Sequence, residues 1–201
     1  MQRLRWLPFG VLLLVSVLAS GSAAARTISF ERAGAITLVT LGTLLFSAAS
    51  IVTVSCPVTL TGTLSRGPIR EEPGETLGSI TRVTTTAERC AGGALVQVLG
   101  LPWRITFERT LVVLPYRLYD LGVRIESTAW ELVTLEFLMC LDRGTLEGLV
   151  ALAGENPYAV GLYRLNNSVL SRGNSFERLC PESVTATGLF SLAPEQTLTE
   201  A

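Results

Sequence analysis

"GAITLVTLGTLLFSAASIVTVSC", Gly34 to Cys56, carries no charged residue, and two structures compete for it. Residues 34–54 are long and apolar enough for a membrane-spanning helix, which needs about 20 such residues. Against the helix, Thr37, Thr40, Thr43, Ser47, Ser50 and Thr53 are spread through the run and weaken both its apolarity and its helix propensity. The other reading is a β-hairpin. Strand-like pieces at Ile36–Phe46 and Ile51–Val54 flank Ser47-Ala-Ala-Ser50 as its tip. Along a strand, Ile36, Leu38, Leu44 and Phe46 would share one face, and Val39, Leu41 and Leu45 the other. The composition favours the hairpin, with the helix as the alternative. A hairpin that is apolar on both faces needs cover on both, or exposes one of them.

The residues before this stretch bear on the compartment. Arg3 and Arg5 precede an apolar core, Val11 to Ala19, and the small-residue run Ala19-Ser-Gly-Ser-Ala-Ala-Ala25. That is the three-part layout of a secretory signal peptide, with cleavage expected after Ala25. The expected organisation is a signal peptide at 1–25, one domain at 26–192 and a loose polar tail at 193–201. Removing 25 of 201 residues would leave 176, enough for a single domain with a substantial core. Two of the 16 basic residues leave with the signal, so 14 basic against 17 acidic gives −3. The arginines are dispersed and often beside a glutamate, which excludes a nucleic-acid surface.

Four cysteines, Cys56, Cys90, Cys140 and Cys180, are an even set in a chain expected to be exported, where disulfides are the default. Three pairings exist. Sequential pairing, Cys56 with Cys90 and Cys140 with Cys180, is favoured because it closes loops of 34 and 40 residues without crossing. No C-x-x-C spacing is present, which argues against a zinc knuckle or a dithiol redox site.

Beyond residue 25 the chain reads as strands. Candidates are 26–31, 57–64, 76–86, 103–108, 121–127, 130–139, 144–152, 158–165 and 183–192. They are separated by turn clusters such as "SRGP", "REEPGE", "CAGG", "GENP" and "LNNS". Many short strands at this spacing imply an all-β, single-domain antiparallel β-sandwich or barrel, stapled by two disulfides.

All sixteen basic residues are arginine; the chain has neither lysine nor histidine. It therefore cannot build a Ser-His-Asp triad, a Cys-His pair, a histidine metal site or a lysine Schiff base. Carboxylates are the remaining acid–base groups. Glu126, Glu131 and Glu136 raise a glycosidase reading. On one continuous strand, however, Glu131 would face away from the other two, with Glu126 and Glu136 about 33 Å apart. Glu71, Glu72 and Glu75 surround a Pro-Gly turn without the Asp-x-Asp ligand spacing of a calcium loop. Trp103 is expected in the core, although it could join Tyr116, Tyr119, Tyr158 and Tyr163 in an aromatic binding face. No catalytic residue, metal or cofactor is assigned.

The order of "ISFE", "CPVTLTGTL" (56–64), "LGSIT" (77–81), "CAGG" (90–93) and "LPWRITFE" (101–108), followed by a second cysteine pair, resembles a group of uncharacterised proteins. These are exported, four-cysteine, β-rich proteins of high-GC Gram-positive bacteria. The resemblance implies an all-β fold with a strand-turn-strand before "CPVTL", and supplies no mechanism. The resulting expectation is an exported, non-catalytic structural or binding protein of the cell envelope or extracellular space. Its partner would be an envelope component, a protein or a carbohydrate, with membrane contact through 34–54. The alternatives are a secreted carbohydrate-active hydrolase using paired glutamates, and an envelope protein tethered by residues 34–54.

Overall fold

The computed structural model describes residues 26–48, 53–85, 90, 91, 94–113, 118–133, 139–173 and 180–201, with backbone alone at 112, 113, 118 and 119. The signal-peptide segment at 1–25, Glu136, Tyr116, the Tyr119 side chain and the end of the hairpin tip lie outside these residues.

Every described element is a strand. They are β1 (Thr27–Phe30), β2 (Ala35–Thr40), β3 (Leu44–Ser47), β4 (Thr53–Cys56), β5 (Val58–Leu64), β6 (Ile69–Arg70) and β7 (Thr76–Thr85). The chain continues with β8 (Leu95–Leu99), β9 (Trp103–Val113), β10 (Leu118–Val133), β11 (Met139–Ala153), β12 (Tyr158–Arg172) and β13 (Ser183–Glu200). Eight of them, in the order β12-β11-β10-β9-β7-β5-β2-β13, close into an antiparallel barrel through the β12–β13 pairing. Closure removes the free sheet edges that would otherwise template aggregation.

The opening stretch is a kinked hairpin within this sheet. β3 pairs with β4 from Leu44–Cys56 to Ser47–Thr53, and β2 pairs with β5 from Ala35–Thr63 to Val39–Thr59. Its alternation follows the expected faces. Ile36, Leu38, Leu44 and Phe46 are buried, whereas Val39 and Leu41 are 38% and 52% exposed. The sequence reading treats Ile36–Phe46 as one strand; the structure breaks it after Thr40. Gly42 turns the chain with φ of 101°, a conformation that penalises residues bearing a Cβ. Opposite the break stands Pro57, which has no N–H to donate. The Val58 N–H reaches across to the buried Thr40 Oγ1 at 3.0 Å and restores a hydrogen bond there. Among the described residues, no helix is long and apolar enough to cross a membrane.

The break matters because the four longest strands extend past the closed barrel. On one edge of β10, β9 pairs up to Glu126 and β8 takes over from Ala129. On one edge of β13, β3, β2 and β1 succeed one another along its length. A second wall of β8, β10, β11, β12, β13, β3 and β4 therefore stands on the barrel. Its seam is closed where Ser55 bridges Ala91 and the Cys90 N–H donates to Ala94 O at 2.9 Å. The Cys56–Cys90 disulfide fastens that seam, and Cys140–Cys180 ties the start of β11 to the segment entering β13. The favoured sequential pairing is the observed one.

A waist of irregularities separates the two levels. The ladders shift register between Ile125 and Thr128, between Gly144 and Gly148, and between Leu165 and Ser168. Ser127 and Asn167, both at the waist, have φ of 59° and 46°. This corrects "LNNS" (165–168), expected as a turn and found inside β12, where the bulge absorbs the polar residues without ending the strand.

The tail expectation is corrected as well. Residues 193–200 belong to β13, pairing with β2, β12 and β1, and the Ala201 N–H donates to Thr27 O at 2.9 Å. Its polar sequence suits a strand wetted on its outer face, while Leu198 supplies the inward side chain at 1% exposure. The predicted strand 130–139 is also divided: β10 ends at Val133 and β11 begins at Met139, paired antiparallel.

Packing follows the two levels. The barrel interior is filled by Leu60, Leu77, Ile80, Leu121, Ile125 and their neighbours, as an eight-stranded barrel permits. Gly62 and Gly78 lie where β5 and β7 run so close that any Cβ would collide with the facing backbone, at Ser79 O and Thr63 O respectively. The upper wall encloses Trp103, Trp130 and Phe46. The Trp130 ring packs at a tilt against both others, its centroid 5.1 Å from Trp103 and 5.3 Å from Phe46. Trp103 is thus a core residue, its indole N–H donating to Leu99 O at 3.1 Å.

Candidate functional site

The barrel lumen is not a ligand cup. The space among Phe30, Leu38, Leu64, Ile105 and Tyr163 is about 50 Å³, far below the roughly 300–1,000 Å³ of ordinary ligand sites. Tyr163 closes it from one side, its hydroxyl donating to Leu146 O at 3.4 Å, and burial holds its phenol well above the usual range.

A cleft of about 550 Å³ opens instead at the waist, lined by Leu99, Gly100, Ser127, Thr128, Ala129, Arg143, Gly144 and Thr145. Its origin is the handover from β9 to β8 along β10. Between Glu126 and Ala129, Ser127 and Thr128 have no strand partner on that edge among the described residues. On the other edge, two residues of β10, Glu126 and Ser127, stand opposite the single Thr145 of β11. This one-residue bulge bends the strand and parts the ladder. The Thr128 hydroxyl, buried, donates to Gly144 O at 2.9 Å and holds the inner margin. Leu99, Ala129 and Arg143 align across β8, β10 and β11. The leucine and alanine form an apolar floor beside the exposed guanidinium.

The bulge also re-aims the glutamates. Five residues apart on an unbroken strand, Glu126 and Glu131 would face opposite ways. The extra residue between Ile125 and Thr128 turns the inward set from odd to even numbers, with Ile125, Trp130 and Leu132 all buried, so both glutamates lie on the outer face. Glu126 accepts from Arg104 Nε and Nη2 at 2.9 and 2.6 Å and from the Thr106 hydroxyl at 3.1 Å. Arg124 bridges Glu147 at 2.8 Å and Glu108 at 3.7 Å beside it. This ladder of opposite charges is cross-strand pairing.

The "REEPGE" turn is bound to β9, with the Gly74 N–H donating to Phe107 O and the Phe107 N–H to Glu75 O, both at 2.8 Å. Its acids disperse rather than converge. Glu71 turns under the barrel, accepts from the Thr110 hydroxyl at 3.3 Å and shares a space of about 10 Å³ with Glu200. Burial, and then the Glu200 charge, raise its pKa. That space does not admit a sugar ring. No group of three or more metal-ligating side chains occurs among the described residues.

Asp142 is the residue that sequence reasoning missed. It faces inward on β11, is 1% exposed, and neither carboxylate oxygen has a hydrogen-bond partner among the described residues. Its neighbour in register, Trp130, likewise has an indole N–H without a partner among the described residues. Both lie in the upper wall, where Asp142 lines a space of about 30 Å³ between Cys140 and Phe46 whose other lining side chains are apolar. Burial raises the Asp142 carboxyl from 3.8 to about 6. A carboxyl that binds its proton more tightly when folded stabilises the fold below the unfolded value. That stability fades as pH rises through about 6. The difference amounts to roughly 3 kcal/mol. Asp142→Asn is therefore expected to stabilise the protein by about 2–3 kcal/mol at pH 7.5 and to change little at pH 3.5. Urea unfolding at the two pH values measures this, and an equal effect at both would contradict it.

Of the tyrosines considered for an aromatic face, Tyr158 and Tyr163 are buried. The cleft itself is invisible to a motif search, because a bulge and a change of strand partner create it. No protein-family model, curated protein or solved structure matches this chain.

Proposed function

We propose that the protein acts outside the cytoplasm as a non-catalytic binding module, exported by its N-terminal segment to the cell envelope or the surrounding medium. The observation that carries this reading is the make-up of the waist cleft. The largest of the described cavities is walled by hydroxyls, glycine backbone, two apolar side chains and one arginine. Such groups recognise and orient; none is a nucleophile paired with a base. The two disulfides are consistent with an oxidising compartment and suit a scaffold that holds its shape without a partner. Arg104, Arg124, Glu126 and Glu147 are engaged in ion pairs on the outer sheet, which supports a structural role for those acids.

The test is the protein recovered from its producing cells. Intact mass under non-reducing conditions, with peptide mapping, is expected to show a chain beginning at Arg26 with two bridges, in the envelope or medium fraction. A full-length cytoplasmic chain with four free thiols would overturn the reading.

A further inference from the structure

We propose that the waist cleft binds a small organic anion with a flat apolar body, such as an aryl carboxylate or sulfonate, with Arg143 as the anion's partner. The inference deepens the binding-module reading by naming the ligand class, and it rests on that reading.

Three features of the cleft converge on this chemistry. Its volume of about 550 Å³ lies within the range of small-molecule sites. Among the described residues, Arg143 alone brings a charge to the lining, and it makes no ion pair or hydrogen bond with the described residues, unlike Arg104 and Arg124 on the same sheet. With none of its donors engaged by the described residues, the guanidinium presents a fork that matches two oxygens of one carboxylate or sulfonate. Beside it, Leu99 is 40% exposed and Ala129 is its partner in register on the same outer face, so the cleft offers apolar surface to a ring as well as charge. Gly100 carries no side chain, and a Cβ there would meet nothing within 4 Å, which leaves room beside this floor for a plane. Ser127 and Thr145 place hydroxyls at the rim, and the unpaired backbone edge at Ser127 adds donors and acceptors. A cationic ligand would meet Arg143 with no acid in the lining to offset it.

The experiment is an NMR titration of the isotopically labelled, disulfide-bonded chain. Naphthalene-1-sulfonate is the probe and naphthalene-1-methanol its uncharged counterpart. Saturable single-site shifts are expected at the Ser127, Gly144 and Thr145 amides, with the alcohol binding about tenfold or more weakly. Arg143→Gln, an outward-facing change that leaves the core untouched, is expected to weaken the sulfonate about tenfold and to leave the alcohol unaffected. Shifts confined to the exposed Val39 and Leu41 face, equal sulfonate affinity in Arg143→Gln, or no saturation at millimolar probe would each overturn the assignment. Failure here is distinguishable from failure of the binding-module reading, because fractionation and mass read compartment and bridges without any ligand.

Discussion

Trp130→Ala is expected to destabilise the fold by about 3–5 kcal/mol, the range for removing a large buried aromatic. The ring is fully buried and is the middle member of the Trp103–Trp130–Phe46 stack. It joins β9, β10 and β3, so it fixes the second wall to the closed barrel below. Alanine would remove the stacking contacts and leave a cavity that the two flanking rings cannot close, since disulfide-tied strands frame it. One term acts the other way: the Trp130 indole N–H is buried without a partner among the described residues, and deleting it recovers part of that desolvation cost. Trp130→Phe separates the two. It keeps a ring in the stack and removes the orphan donor, so its loss should stay near 1 kcal/mol. Urea unfolding of both variants measures the difference. Equal losses would mean that the stack is not what stabilises this level.

The second large effect is expected from Cys56→Ala with Cys90→Ala. Closing a loop of 34 residues contributes about 3–4 kcal/mol through the entropy of the unfolded chain. The loss should also be local. β4 pairs along one edge with β3, and on the other edge the described ladder is a single bridge to Ala91. Without the disulfide, amide exchange in β4 and β8 should accelerate well before that in β5 and β7, which lie inside the closed barrel. Removing Cys140 and Cys180 should cost a similar free energy but loosen the start of β13 instead. Exchange that rises uniformly in both variants would show that the two levels unfold as one unit.

Much of the fold is legible along the chain, because a strand alternates its side chains with a period of two. Ile36, Leu38, Leu44 and Phe46 are inward, and Val39 and Leu41 outward, as that period dictates. The turn chemistry of "REEPGE" and "GENP" marks real reversals, with Gly74 and Gly154 at φ of 92° and 93°. Other features depended on partners far away in sequence. The segment 193–200 looked like a tail until β1, β2 and β12 paired with it. "LNNS" looked like a turn until β11 and β13 held it in register. Glu126 and Glu131 seemed to face apart until a bulge, which no local pattern announces, reset the alternation. The cleft and the isolation of Asp142 follow from the same cause, since both are properties of which strands meet.

The sequence by itself determined the all-β class, the division of the opening hairpin into two faces and the chemistry that a chain without lysine and histidine cannot perform, and it favoured the sequential disulfides among three pairings. These are local or compositional properties, set by side-chain period, loop closure and ionisable groups. Only the tertiary structure decided between barrel and sandwich, divided the long hairpin between two levels, buried Asp142 and opened the waist beside Arg143. Those outcomes depend on strand order and register, which are fixed by contacts between residues as distant as Thr27 and Ala201.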